Sequence, residues 1–238
     1  QLQLNSPVRD AVKVVQVGTS DYKELVDIYG TTSGWVGETG SRAATAEPQL
    51  RERAPTMGTL YTLLATTEEA LDDIFFDVSN WLSTSAATKF GQAEGISALT
   101  GDGTNQMTGM LNTAPSTIGD SLALSPQRDA DALELVDIAT SASPVVGAID
   151  PDRLLALVYR LRAGYRQNAT WAMNSATTSA IRQLKQDSKY IWAPGLANGQ
   201  PDTLLGYGVR TWEDLADPGQ STNSVLFGDF RAGYLMVD

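Results

Sequence analysis

From Ser33 to Met57 the chain runs through Gly, Thr, Ala, Glu, Arg and Pro, and only Trp35, Val36, Leu50 and Met57 are larger apolar residues. Such a stretch cannot fold around a core of its own. Uncovered loops longer than about 12–15 residues are uncommon inside a compact domain. The segment therefore reads as a projecting hairpin that finds its partner elsewhere, on another chain, with a plain surface loop as the alternative. The rest of the chain has to supply the core, and 238 residues at 42% hydrophobic suffice for one large domain or two small ones.

Cysteine and histidine are both absent. The first absence removes disulfides, thiolate metal sites and cysteine nucleophiles. The second removes Ser-His-Asp triads, His-ligated zinc and the usual general base near neutral pH. The formal charge of −11 argues against tight nucleic-acid binding over the whole surface, which draws on basic patches that displace counterions. Charge is unevenly spread. Residues 153–189 hold seven cations (Arg153, Arg160, Arg162, Arg166, Arg182, Lys185, Lys189) against Asp187, a block of +6, which leaves −17 on the remainder. Opposite fields of this kind steer and register copies of one molecule; two solvated helix faces are the plainer reading.

No run approaches the roughly 20 apolar residues of a membrane span. The opening Gln1-Leu2-Gln3-Leu4-Asn5 has neither the basic nor the apolar part of an export signal. Starting at Gln1, the chain reads as a processed end or the edge of something longer.

Along the chain, Val12, Val14, Val15 and Val17 precede a turn at Gly18-Thr19-Ser20-Asp21 and predict a strand or arm. The sharpest local signal follows the hairpin: Leu71, Ile74, Phe75, Val78, Trp81, Leu82, Ala86, Phe90 and Ala93 recur at steps of three and four. They predict an amphipathic helix from about Thr67 to Ala93, about 40 Å long, capped by Thr67, acidic in its first turns and weakened by Gly91, Gly95 and Gly101. The glycine-rich turn from Thr100 to Gly109 lacks the Gly-Lys-Ser/Thr of a phosphate loop and the closing Glu of a calcium loop, so it reads as a structural reversal.

The second half alternates helix and strand. Helices are expected at Ala130–Ser141, from Pro151, and at Ser175–Asp187. Strands are expected at Asn168–Met173, Tyr190–Ala193, Tyr207–Trp212, Ser224–Phe227 and Gly233–Val237. The fold class is α+β.

In this order the parts resemble the tailed-phage major capsid proteins with the Hong Kong 97-like fold. The resemblance is carried by Ser33-Gly34-Trp35-Val36-Gly37-Glu38, the helix from Thr67, Leu99-Thr100-Gly101-Asp102-Gly103 and Gly109-Met110-Leu111. It continues through Asn168-Ala169-Thr170-Trp171-Ala172-Met173-Asn174, Leu184-Lys185, Tyr190-Ile191-Trp192, Leu204-Leu205-Gly206-Tyr207-Gly208-Val209, Phe227-Gly228-Asp229-Phe230 and Gly233-Tyr234. It implies an N-terminal arm and the start of a peripheral domain (1–32), an extended loop (33–59), a peripheral domain with spine helix and glycine-rich loop (60–124), an axial domain (125–225) and a return to the peripheral domain (226–238), cut short at Asp238. It also implies a shell protein without cofactor, metal or catalytic residues. Such a protein assembles in the host cytoplasm as hexamers and pentamers into an icosahedral virion head around double-stranded DNA, without sequence-specific DNA binding. Portal, scaffold or decoration proteins would be further partners, and no membrane is involved.

Candidate intersubunit residues are Trp35, Glu38, Arg42, Glu47, Arg51, Arg53, Arg160 and Arg166; Asp72, Asp73 and Asp77 are candidates for an acidic inner face. Some relatives join subunits through a lysine on the extended loop, but residues 34–59 contain none, and arginine is no substitute nucleophile. Three other readings compete: an encapsulin-type nanocompartment, a carboxylate hydrolase using Glu38 with Glu47 or Asp102 with Asp120, and a carbohydrate-binding module using Trp35, Trp171 or Trp192.

Overall fold

A computed structural model describes residues 8–19, 21–29, 33–42, 44–45, 49–65, 78–119, 128–129, 131–138, 149–186, 189–190, 192, 202–219 and 222–238. In chain order its strands are β1 (Lys13–Val15), β2 (Glu24–Tyr29), β3 (Gln49–Arg53), β4 (Thr170–Met173), β5 (Lys185–Gln186), β6 (Lys189–Tyr190), β7 (Thr203–Leu204), β8 (Tyr207–Thr211), β9 (Val225–Gly228) and β10 (Leu235–Val237). The helices are α1 (Val78–Thr100), α2 (Pro151–Arg160), α3 (Ala163–Arg166), α4 (Ser175–Arg182) and α5 (Phe230–Gly233).

Trp171, Ala172 and Met173 are all buried, which on a strand requires cover on both faces. β4 lies inside a four-stranded sheet of order β7-β8-β4-β9, parallel to β8 and antiparallel to β9, and an apolar cluster covers each of its faces. Trp171 and Met173 face one core with Leu154 and Val158 of α2, Ile181 of α4, Trp192 and Leu204. Ala172 turns the other way, into a core with Val8, Val12, Ala98, Leu99, Met110, Trp212, Leu226 and Met236. The two-residue period of the strand thus divides the molecule into two apolar layers on opposite sides of one sheet.

α2 begins where the sequence marks it. Pro151 takes an early helical position and the Asp150 carboxylate accepts from the Asp152 N–H at 3.0 Å. α4 is capped by Asn174, whose Oδ1 accepts from Thr177 N–H at 2.8 Å while its amide donates to Leu215 O at 3.2 Å and Asp217 Oδ1 at 2.7 Å. That buried amide fastens the loop after β8 to the start of the helix.

Three sequence expectations are corrected. The long helix does not stop near Ala93; it passes through Gly91 and Gly95 to Thr100, about 34 Å at about 1.5 Å per residue. Full burial of Ala98 and Leu99 outweighs a helical glycine, which costs about 1 kcal/mol against alanine. It ends at Gly101, where the chain folds back: Met110 N–H donates to Ala98 O at 2.9 Å and Leu111 N–H to Leu99 O at 2.8 Å. The expected start at Thr67 lies outside the described residues. Residues 131–138 are not helical either. Their burial alternates residue by residue, the mark of extended backbone, and Leu135 N–H donates to Ser116 O at 2.7 Å.

The opening strand is present as β1, paired in parallel with β10 through Lys13↔Leu235, Val14↔Met236 and Val15↔Val237. The expected helix to Asp187 ends at Arg182.

Candidate assembly interface

The polar excursion is the far part of a ribbon that starts earlier than the sequence suggests. β2 and β3 pair antiparallel with the register Glu24↔Arg53, Leu25↔Glu52, Val26↔Arg51 and Asp27↔Leu50. Opposed residues share a face, so Glu24, Val26, Arg51 and Arg53 lie on one side and Leu25, Asp27, Leu50 and Glu52 on the other. The arginine side is held by the same chain. Arg51 reaches Asp131 at 3.3 Å and Asp129 at 3.9 Å, and Arg53 bonds Asp131. All four groups are well exposed, and such pairs contribute roughly 0–1 kcal/mol each. The ribbon is therefore registered by charge and lightly held.

Asp129 and Asp131 sit on a turn closed by Ala132 N–H donating to Asp129 O at 3.0 Å, which leads into an extended stretch that makes further ion pairs. Glu134, largely buried, accepts from Arg128 at 3.3 Å and from Arg160 of α2 at 3.3 Å, while Arg153 bridges Asp137 at 3.4 Å. The two acidic side chains of the turn meet Arg51 and Arg53, which share one face of β3 because they are two apart on a strand. The spacing Arg51-x-Arg53 and Asp129-x-Asp131 was the available sequence signal for this contact, which a helical reading of the segment conceals.

Arg166 behaves differently. Its guanidinium lies 5.1 Å from the centre of the Tyr159 ring and its Nε donates to Leu161 O at 2.8 Å. Tyr159, Tyr165 and Leu155 are exposed beside it. Large apolar side chains are also uncovered on the ribbon (Leu25, Leu50), at its far end (Trp35, with the whole side chain in solvent) and along the extended stretch after it, where Leu60, Tyr61, Leu63 and Leu64 face outward within five residues. Ile96 on α1 is exposed as well. Scattered exposed leucines need no explanation, but apolar residues grouped on projecting elements mark surfaces that meet other proteins.

The glycine-rich turn holds no ligand geometry. The Asp102 carboxylate accepts from Thr104 N–H and Gln106 Nε2, both at 2.8 Å, and these bonds, the Thr104 one first, lower its pKa below the ordinary carboxylate value. Between α2, α4 and β7 the apolar cleft leaves about 10 Å³, on the order of one water. Among the described residues no cluster of three or more acidic side chains is placed to hold a metal ion, and no helix is long and apolar enough to cross a membrane.

Against known families, the model of the phage capsid family matches residues 1–238. The chain belongs to the phage capsid family. A solved structure described as the capsid of a native GTA particle, computed with C5 symmetry, is 32% identical, with a TM-score of 0.85 over 100% of this chain and 78% of that one. The corresponding capsid of an empty GTA particle is 31% identical, with a TM-score of 0.81 over 100% and 77%. A structure from Microbacterium phage Oxtober96 shares the fold at 12% identity, with a TM-score of 0.61 over 97% and 72%. No curated protein matches the sequence. This is a capsid protein of a phage or phage-like particle, and its structural relatives are shell proteins.

Within this capsid protein the candidate residues separate into groups. Trp35, Glu38 and Arg42 are exposed beyond the paired part of the ribbon. Arg51 and Arg53 are brought together on the 128–131 segment, Arg160 is on Glu134, and Arg166 is on Tyr159. Glu47 and the acidic trio Asp72, Asp73 and Asp77 lie outside the described residues, as does Asp120, so neither proposed carboxylate pair is assembled in what is described. Of the tryptophans offered for carbohydrate binding, Trp171 is fully buried with its indole N–H on Leu204 O at 3.0 Å, and Trp192 is core. Sequence reasoning missed Asp129, Asp131 and Glu134, and it missed Leu25, which falls before the expected hairpin boundary.

Proposed function

We propose that the protein is the major shell subunit of an icosahedral particle, assembling as pentamers and hexamers around double-stranded DNA. The observation that carries this reading is the match over the whole chain to the capsid of a GTA particle, a structure computed with fivefold symmetry. The chain's own physics supports it. The ribbon presents Leu25, Leu50 and Trp35 without cover from its own chain, and residues so placed gain burial only when a second molecule arrives.

In this reading residues 1–32 form the arm, 33–59 the far part of the extended loop, α1 the rigid spine and 125–225 the axial unit. The net charge of −11 suits a container whose wall does not hold DNA tightly, since like charges repel over a Debye length of about 8 Å in physiological salt. Asp72, Asp73 and Asp77 are the proposed inner face. Electron microscopy of the purified full chain tests the proposal: closed shells or rings of five and six with nuclease-protected DNA inside are expected. A monodisperse monomer at high concentration would overturn it, and shells filled with protein would replace the DNA container by a nanocompartment.

A further inference from the structure

We propose that Glu134 sets the register of the extended strap at residues 132–138, and that this strap fixes where the base of the β2–β3 ribbon stands relative to α2. The inference concerns a single subunit and does not depend on the reading of the protein as a shell.

Burial alternates along the strap. Ala132, Glu134, Val136 and Ile138 turn inward, while Leu133, Leu135 and Asp137 are exposed. The inward row is apolar except for Glu134. Because side chains repeat every two residues along an extended chain, a displacement by two would keep an apolar row inside and put Ala132 or Val136 where Glu134 stands. The backbone does not oppose such a shift. Ser116 N–H donates to Leu133 O at 2.9 Å and Leu135 N–H to Ser116 O at 2.7 Å, and any two residues two apart can make the same pair of bonds.

The carboxylate removes that freedom. Its Oε1 accepts from Arg160 Nη1 of α2 and its Oε2 from Arg128 Nη1, both at 3.3 Å. Arg128 Nη1 also donates to Ile118 O at 3.2 Å. The backbone closes over the group at Gly119, where an added Cβ would lie 3.1 Å from Arg160 Nη1 and 3.4 Å from Glu134 Oε1. The Glu134 side chain is only 14% exposed. A shifted strap would bring an alkyl group to the two guanidiniums and leave them without their carboxylate. Setting register is the best-attested role of an enclosed ionic group.

Both ends of the strap are tied to the elements it joins. The turn at its head presents Asp131 to Arg51 at 3.3 Å and to Arg53 of β3. At its tail Arg153 Nη1 of α2 donates to Asp137 O at 3.1 Å, and the N–H of Asp150, the residue before α2, donates to Ile138 O at 2.9 Å. Six steps at about 3.3 Å separate residues 132 and 138 by about 20 Å, and extended backbone has little slack. The register of the strap is therefore the distance between ribbon and helix. The acidic ends are exposed, and exposed ion pairs discriminate weakly, so the selection falls to Glu134.

The chain has no cysteine, so thiols introduced by Leu50→Cys on the ribbon and Leu155→Cys on α2, both exposed positions, take spin labels uniquely. Pulsed electron paramagnetic resonance on the free full-length subunit then reads the ribbon-to-helix distance. One distance is expected with Glu134 present. Glu134→Leu makes the inward row wholly apolar and should add a second population displaced by up to about 7 Å, two residues of extended chain. Arg128→Met/Glu134→Leu/Arg160→Met removes all three charges together, so no guanidinium of the group is left unpaired, and should show the same two populations without a lower thermal midpoint. A merely structural role would lower the midpoint and leave one distance. A single unchanged distance in either folded variant would overturn the proposal. Failure of both variants to fold would also overturn it, since Glu134 would then determine stability and not register.

Discussion

Gly58 lies so close to Asn105 that a Cβ added to it would overlap the Asn105 carbonyl. The strand leaving the ribbon is thereby seated on the turn that caps α1, and Asn105 itself is held at φ +58° there. Gly58→Ala should therefore cost about 1–3 kcal/mol, the range for forcing an extra carbon into a filled site. Chemical denaturation of the free subunit measures it. Gly37→Ala, where nothing lies within 4 Å, is the control and should change stability little.

Asp131 takes both ribbon arginines. Replacing it with Asn should barely move the unfolding midpoint, because exposed ion pairs contribute so little, yet it should loosen the ribbon locally. Trypsin cleavage after Arg51 and Arg53 should become several-fold faster than in the unmodified chain at equal salt, while cleavage after Arg182 stays constant. Equal rates at the ribbon would show that the arginine contacts do not restrain it.

Burial pushes the Tyr234 phenol up to about 12 from its ordinary 10.0, and its O–H donates to the Thr108 carbonyl. An acid whose pKa is higher folded than unfolded holds its proton more tightly in the fold. The stability it adds is fully present below about pH 10 and is lost as the pH rises from 10 toward 12. Tyr234→Phe should lower stability at pH 7 by about 1 kcal/mol, the lost hydrogen bond. It should also make the alkaline decline shallower and remove an ionisation at about pH 12 from an ultraviolet titration.

Residues 34–59 contain no lysine, so an isopeptide bond from that loop has no nucleophile. Mature particles boiled in SDS should run as single subunits. A series of covalent multimers from the unmodified protein would contradict this.

Elements defined by local chemistry were legible. α2 carries its own start in Asp150-Pro151, and β4 is a short run in which Trp171, Ala172 and Met173 are all core. The ribbon was legible as a projecting hairpin, but its first strand, Glu24–Tyr29, falls before the expected boundary at Ser33. β3 reads Gln-Leu-Arg-Glu-Arg, a sequence with little strand preference that becomes a strand because β2 pairs with it and Asp129 and Asp131 hold its arginines. Residues 131–138 failed for the same reason in reverse: a helix-compatible composition is kept extended by Ser116 on one side and by Arg128 and Arg160 on Glu134. The end of α1 was misplaced because two glycines look like a stop when the burial of Leu99 cannot be seen. The faces of the ribbon were the least legible, since the register that puts Leu25 and Leu50 on one face exists only once the strands have paired.

The pairing of β1 with β10 joins residues 13–15 to residues 235–237, and Arg9 adds an ion pair to Asp238. Contacts of such sequence separation form late. The layer holding Val8, Leu99 and Met236 therefore cannot close while residues 235–237 are still inside the ribosome. A nascent chain can build α2, β4 and α4 as they emerge, but it lacks the finished layer that seats the base of α1. Closure of that layer, and with it the seating of the base of α1, therefore waits until β10 has left the ribosome.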